Sequence, residues 1–254
     1  LHVFDRPRTV VLEAGGLRVA FAGFPYAHAV RARLPELLAA TGLAGQPADL
    51  RVLCLHHCVE GATCGPNDYV FRTGEDVIRI ADLVPGGFAA VLCGHIHRHQ
   101  VLRPPGAPPI VYAGSVERTS FAEADEVKGT VLLRLGHGAP ALEFRPLPAR
   151  PMVIRKLSLL DASGERARQS ICDALASTPA DAVVQLRVPQ LSPAAAAWLT
   201  EAALRSVAGE RNVSVRVEQE GGGLTSPGRR ARRIPCRSGP AAVRCPGENP
   251  LPRE

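Results

Sequence analysis

The alternation of apolar and polar residues changes period several times along the chain, and each change predicts an element. β-Rich runs over 9–13 and 17–24 predict two strands, joined at Ala14-Gly15-Gly16 by a hairpin turn. Val30, Leu34, Leu37 and Leu38 then recur at helical spacing within 28–43, with Gly42 as the stop and Pro35 limiting how much of the segment is regular. Two apolar runs follow, Leu50-Arg51-Val52-Leu53-Cys54-Leu55 and Phe88-Ala89-Ala90-Val91-Leu92, whose length predicts buried strands. Shorter runs at 100–102, 110–113 and 130–135, separated by Pro- and Gly-rich turns, predict the second sheet of a sandwich.

Leu147-Pro148-Ala149-Arg150-Pro151 breaks the pattern and marks a boundary. Beyond it come a strand (152–159), a helix (164–176), a strand (182–188), a helix (192–208) and a strand (213–217), an alternation that predicts a small α/β unit. Ser192 is a natural cap with Pro193 in the first turn, and Trp198, Leu199, Ala202 and Val207 form an apolar stripe expected to be core. From Gly221-Gly222-Gly223 onward periodicity vanishes, which predicts disorder. The expected division is 1–148, 149–220 and a disordered basic tail over 221–254.

A net charge of +6 invites a nucleic-acid partner, but its location matters. Seven Arg and two Glu lie in 224–254, leaving 23 basic against 22 acidic residues elsewhere. The body is therefore nearly neutral, and phosphate contacts there must come from local clusters. Arg229-Arg230-Ala231-Arg232-Arg233 either attracts nucleic acid or is a solvated tail. Seven cysteines without a Cys-x-x-Cys pair, no apolar stretch long enough to span a bilayer and no leader pattern lead to an expectation of a cytoplasmic protein with no membrane contact.

Candidate chemistry sits where the two apolar strands stop. His56-His57 ends the first, and Gly94-His95-Ile96-His97 follows the second. Residues two apart in an extended loop point the same way, imidazole suits borderline metals, and ligands gather at the carboxyl ends of strands in open α/β sheets. The alternative is ordinary polar loop chemistry. Further on, Gly114 allows close backbone approach, and Ser115 and Arg118 offer a hydroxyl and a guanidinium to a phosphate; alternatively Arg118 pairs with Glu117 or Glu123. The connection 61–84 is long enough to suggest a functional loop or a surface loop pinned by Tyr69 and Phe71.

Three blocks, Leu55-His56-His57-Cys58-Val59-Glu60-Gly61, Gly94-His95-Ile96-His97 and Tyr112-Ala113-Gly114-Ser115-Val116-Glu117-Arg118-Thr119-Ser120-Phe121, in this order resemble the calcineurin-like metallophosphoesterases. The last block resembles the SbcD-like DNA-repair exonucleases, and the resemblance spans about 1–148. It implies an α/β fold, a metallophosphoesterase-type β-sandwich flanked by helices, with a small α/β capping domain that helps position DNA. It implies two divalent metal ions, manganese expected, with His56 and His95 on one and His97 on the other. It also implies phosphodiester hydrolysis, with DNA, an SMC-like ATPase subunit and a second copy of the chain as partners.

The family's Asp-x-His, Gly-Asp and Gly-Asn-His-Asp/Glu motifs are absent from these 254 residues, and Ala113 stands where Pro is usual. Two cations held close together need a bridging carboxylate, which imidazoles cannot replace. No catalytic residue is therefore assigned. The expectation is an N-terminally incomplete nuclease that by itself hydrolyses DNA poorly; the alternative is a non-catalytic binding or scaffolding module on the same fold.

Overall fold

Strand β1 (Arg8–Ala14) pairs antiparallel with β2 (Leu17–Gly23) across a two-residue turn in which Gly15 and Gly16 both have positive φ, 57° and 76°. That combination is the tight hairpin turn whose twist matches the flanking strands. In the computed structural model, which describes residues 2–218, the chain is mixed α/β, and its described residues divide into two compact units that meet between Val153 and Ile154. The expected tail over 221–254 lies outside the described residues.

In the first unit, helix α1 (Val30–Ala40) comes after β2 and runs through Pro35, whose missing N–H costs one internal hydrogen bond. Its buried Val30, Leu34 and Leu37 set the helix on the sheet. Strand β3 (Leu50–Leu55) comes next, then short strands β4 (Cys58–Val59), β5 (Thr63–Cys64), β6 (Tyr69–Val70) and β7 (Val77–Ile78). The long connection is thus structured: β4 pairs with β7 and β5 with β6. Strands β8 (Ala90–Cys93), β9 (Gln100–Leu102) and β10 (Ile110–Tyr112) complete a six-stranded mixed sheet in the order β1-β2-β3-β8-β10-β9.

This corrects the expectation of a second sheet begun by 100–102 and 110–113. β10 lies parallel to β8 and β9 antiparallel to β10, so both extend the first sheet. Ile110, Val111 and Tyr112 are buried, as an interior parallel strand requires, and an apolar run of three residues carries no information about which neighbour it pairs with. Only β11 (Gly129–Arg134) stands apart, in a hairpin with β12 (Ala141–Pro146), a half-exposed strand that no run of apolar residues announced. Ala20, Ala22, Leu53, Leu55, Val91, Cys93, Ile110 and Tyr112 alternate along the inner strands and share one core with α1. Each large aliphatic side chain buried there contributes roughly 1.5–3 kcal/mol.

The boundary falls within β13 (Met152–Lys156), which leads into the second unit of α2 (Gly164–Ala176), β14 (Val183–Val188), α3 (Pro193–Trp198), α4 (Glu201–Ala208) and β15 (Asn212–Val217), with sheet order β13-β14-β15. The Ser192 hydroxyl caps α3 by accepting from the Ala195 N–H. The single helix expected over 192–208 is two. Thr200 accepts from the Ala203 N–H at 3.2 Å and starts α4, and Leu199 leaves helical geometry with ψ 61°. A threonine offers the backbone an alternative to helix continuation, and the break rephases the residues of α4 relative to those of α3. Trp198 and Leu199 pack on the cluster of Leu159, Ala167, Val188 and Ala195, whereas Ala202 is exposed and Leu204 and Ala208 are buried. Among the described residues, no helix is long and apolar enough to cross a membrane.

Candidate functional site

Strands β2, β3, β8 and β10 are mutually parallel, and their register places Gly23 beside Cys54, Leu55 beside Cys93 and Cys93 beside Tyr112. All four end at one edge. The loops that leave this edge hold His56 after β3, His95 and His97 after β8 and Ser115 after β10. The loop after β2 adds Tyr26 and His28, which the sequence did not single out. Their signal was present in Phe24-Pro25-Tyr26-Ala27-His28 directly following a strand, but only the pairing of β2 with β3 makes that loop a neighbour of the histidines.

The ring centroids of His56 and His95 lie 5.4 Å apart, edge to face. Tyr26 stacks near His95 at 5.9 Å and on His57 at 5.0 Å, with His28 edge-on to it at 5.1 Å. Gly94 permits this approach, since a Cβ there would stand 2.7 Å from His56 Nδ1. His95 itself has φ 79°, left-handed for a residue with a side chain, a conformation that costs on the order of 1–3 kcal/mol. Burial, reinforced by the neighbouring His56 and His97, holds the His95 pKa below its ordinary value and so favours the neutral ring.

His57 lies in the core. It is fully buried, and its Nε2 faces both the N–H and the C=O of Ala27, at 3.0 and 3.2 Å. Tyr112 pins the backbone beside it by donating to the His57 carbonyl at 2.9 Å and accepting from the Val59 N–H at 2.8 Å. Tyr112→Phe strands both backbone groups in a buried place and is expected to cost about 2–4 kcal/mol. A lower urea midpoint at unchanged m would show it, and an unchanged midpoint would mean the loop satisfies those groups otherwise.

His97 is about half exposed, and its Nδ1 lies 3.2 Å from Glu123 Oε1 and 3.1 Å from Thr119 Oγ1. Behind Glu123 stands Lys128, whose side chain is wholly buried and whose Nζ donates to Glu123 Oε2 (2.7 Å), Glu126 Oε2 (2.9 Å) and the His97 carbonyl (3.0 Å). Arg98 extends this network to Glu126 at 3.1 Å, to the Gly65 carbonyl at 2.7 Å and to Asp68. Burial alone would raise the Glu123 pKa; hydrogen bonds from Lys128, Thr119 and His97 outweigh it and hold the carboxyl at about 2. The sequence offers Glu123 only as a partner for Arg118 and gives Thr119 and Lys128 no part, because what joins the three is side-chain geometry across a loop without periodic pattern.

The Ser115 hydroxyl donates to the Glu117 carbonyl at 2.7 Å, and its N–H to that of His97 at 3.1 Å. Arg118 is tied into the loops around it: its guanidinium donates to the backbone carbonyls of Glu123 (3.2 Å), Glu126 (2.8 Å) and Arg150 (3.0 Å), and its own backbone N–H donates to the Glu117 carboxylate at 2.8 Å. A planar fork of donors suits several carbonyl oxygens brought together from different loops.

Among the described residues, no group of three or more His, Cys, Asp or Glu side chains is arranged to hold a metal ion. The donors at this edge are imidazoles, and the Glu123 carboxylate is turned towards His97 and Lys128. A pair of cations a few Å apart repel strongly without a bridging anion, so these residues do not by themselves fit a two-metal centre. A cavity of about 400 Å³ lies not over the histidines but beside Arg98 and His99, walled by Phe144, which stacks on His99 at 4.0 Å. That wall offers Asp68, Asp125 and Glu126, and its one guanidinium is already paired. No protein-family model matches the chain.

Proposed function

We propose that the chain carries part of a metallophosphoesterase-type site for metal-dependent hydrolysis of DNA phosphodiesters, of the SbcD-like exonuclease kind. The observation that carries this reading is the gathering of His56, His95 and His97 at the carboxyl edge of neighbouring parallel strands, where α/β sheets place their ligands. On this reading the imidazoles supply nitrogen donors, manganese is the expected metal, and the carboxylates must come from residues other than those at this edge. The small α/β unit would help position DNA, and an SMC-like ATPase and a second copy of the chain would be the protein partners.

The chain alone is then expected to bind manganese no better than about millimolar, roughly 4 kcal/mol, and to cut DNA at a small fraction of a complete enzyme's rate, since enzymic accelerations begin near ~10⁶-fold. Electron paramagnetic resonance titration with manganese, beside degradation of a labelled duplex, tests both. His95→Ala should weaken the residual manganese binding. Robust nuclease activity of the purified chain would overturn the incomplete site. Duplex binding that is indifferent to manganese and to His95→Ala would favour a non-catalytic module.

A further inference from the structure

We propose that Glu123, together with Thr119 and Lys128, is a positioning device that fixes the proton of His97 on Nδ1 and so leaves Nε2 bare. The inference rests on the proposed function only for what the bare nitrogen is used for. The tautomer itself comes from counting protons around one carboxylate.

Glu123 Oε1 accepts from the Thr119 hydroxyl at 2.7 Å and from the Ser120 hydroxyl at 3.1 Å, and Oε2 accepts from Lys128 Nζ at 2.7 Å. A carboxylate in that company has no proton to give. Thr119 Oγ1 also lies 3.1 Å from His97 Nδ1, but the Glu123 carboxylate, nearer at 2.7 Å and charged, is the stronger acceptor for its single proton. Both partners of Nδ1 are therefore acceptors, and the contacts at 3.1 and 3.2 Å are hydrogen bonds only if Nδ1 carries the hydrogen. A neutral imidazole has one N–H, so Nε2 keeps its lone pair. A carboxylate on the far ring nitrogen is also how proteins orient a histidine that must present its other nitrogen to a ligand.

The carboxylate cannot swing away. The Lys128 ammonium is buried behind it and is itself anchored to the His97 carbonyl, so the ion pair holds the ring's partner and the ring's own backbone in one frame. The segment Thr119-Ser120-Phe121-Ala122-Glu123 closes a short turn that brings the two hydroxyls onto the same carboxylate. Exposure is unequal in the useful direction: the Glu123 and Lys128 side chains are 11% and 0% exposed, while that of His97 is 48% exposed. The locked nitrogen faces protein, and the ring still reaches solvent.

The test is nitrogen-15 correlation spectroscopy of histidine-labelled whole chain at pH 8, where an ordinary imidazole is neutral. His97, assigned by its loss in His97→Ala, should show Nδ1 protonated and Nε2 bare, by at least about tenfold over the other tautomer, a difference of roughly 1.4 kcal/mol. The double variant Glu123→Leu with Lys128→Met replaces a buried ion pair by apolar residues, a change often tolerated, and should bring His97 to a mixture of tautomers. Thr119→Val removes one acceptor while leaving the pair in place and should lower the preference several-fold. A wild-type His97 protonated on Nε2, or an even mixture, would overturn the proposal whether or not the variants fold. So would a folded double variant that keeps the Nδ1–H form. A locked His97 in a chain that binds no manganese would sink the functional reading and leave this one standing.

Discussion

Lys128→Met is expected to lower the stability of the first unit by about 3–5 kcal/mol, the usual loss when one member of a buried charge network is deleted. Lys128 is wholly buried and holds two carboxylates, Glu123 and Glu126, at 2.7 and 2.9 Å. Methionine fills much of the volume but leaves Glu123 an uncompensated buried anion. The acid limb of stability carries a second, independent signature. In the native protein the Glu123 pKa is lowered to about 2 from an ordinary 4.5, so its contribution is fully present above pH 4.5 and is lost as the pH falls through 4.5 towards 2. That contribution is on the order of 3 kcal/mol. Without the ammonium, only the hydrogen bonds from Thr119 and His97 still oppose burial, so the Glu123 pKa should rise and the loss of stability in acid should shrink. Urea unfolding of both proteins at pH 7, 4.5 and 3 measures this, and the gap between them should narrow as the pH falls. A gap that stays constant would mean that Lys128 acts by packing and not by charge.

Gly114→Ala is expected to cost about 3–4 kcal/mol, from two causes that add. Gly114 has φ 84°, where a side chain is strained by about 1–2 kcal/mol. A Cβ there would also stand 2.9 Å from both the His97 carbonyl oxygen and the His99 nitrogen, which are backbone atoms and cannot rotate aside. Gly15→Ala is the matched comparison, with φ 57° and no atom within 4 Å, and should cost only about 1 kcal/mol. Equal losses in the two variants would show that φ alone matters and that the 97–99 loop gives way freely. A larger loss at Gly114, with shifted His97 and His99 resonances, would show that the turn after β10 sets the position of the histidine loop after β8.

Sequence by itself determined the elements and the sites where chemistry could sit. The β1–β2 hairpin, the buried strands β3 and β8, helix α2 and the cap at Ser192 were legible because each is written in contiguous residues: a period, a glycine turn, a hydroxyl before a helix. Histidines at the ends of two apolar strands were legible for the same reason. Tertiary structure decided which elements are neighbours. It placed β9 and β10 on the first sheet, drew the β2 loop with Tyr26 and His28 to the histidine edge, split the helix at Leu199 and turned Arg118 onto backbone carbonyls. It also separated His56 from His57. Neighbouring residues where a strand ends look to opposite sides, so one of the pair had to face the core, and only the packing of Tyr26 and Ala27 over that core shows that it is His57. The link from Lys128 through Glu123 to His97 is the extreme case, because it joins side chains up to 31 residues apart through directed hydrogen bonds, and hydrophobic periodicity carries no record of where a proton points.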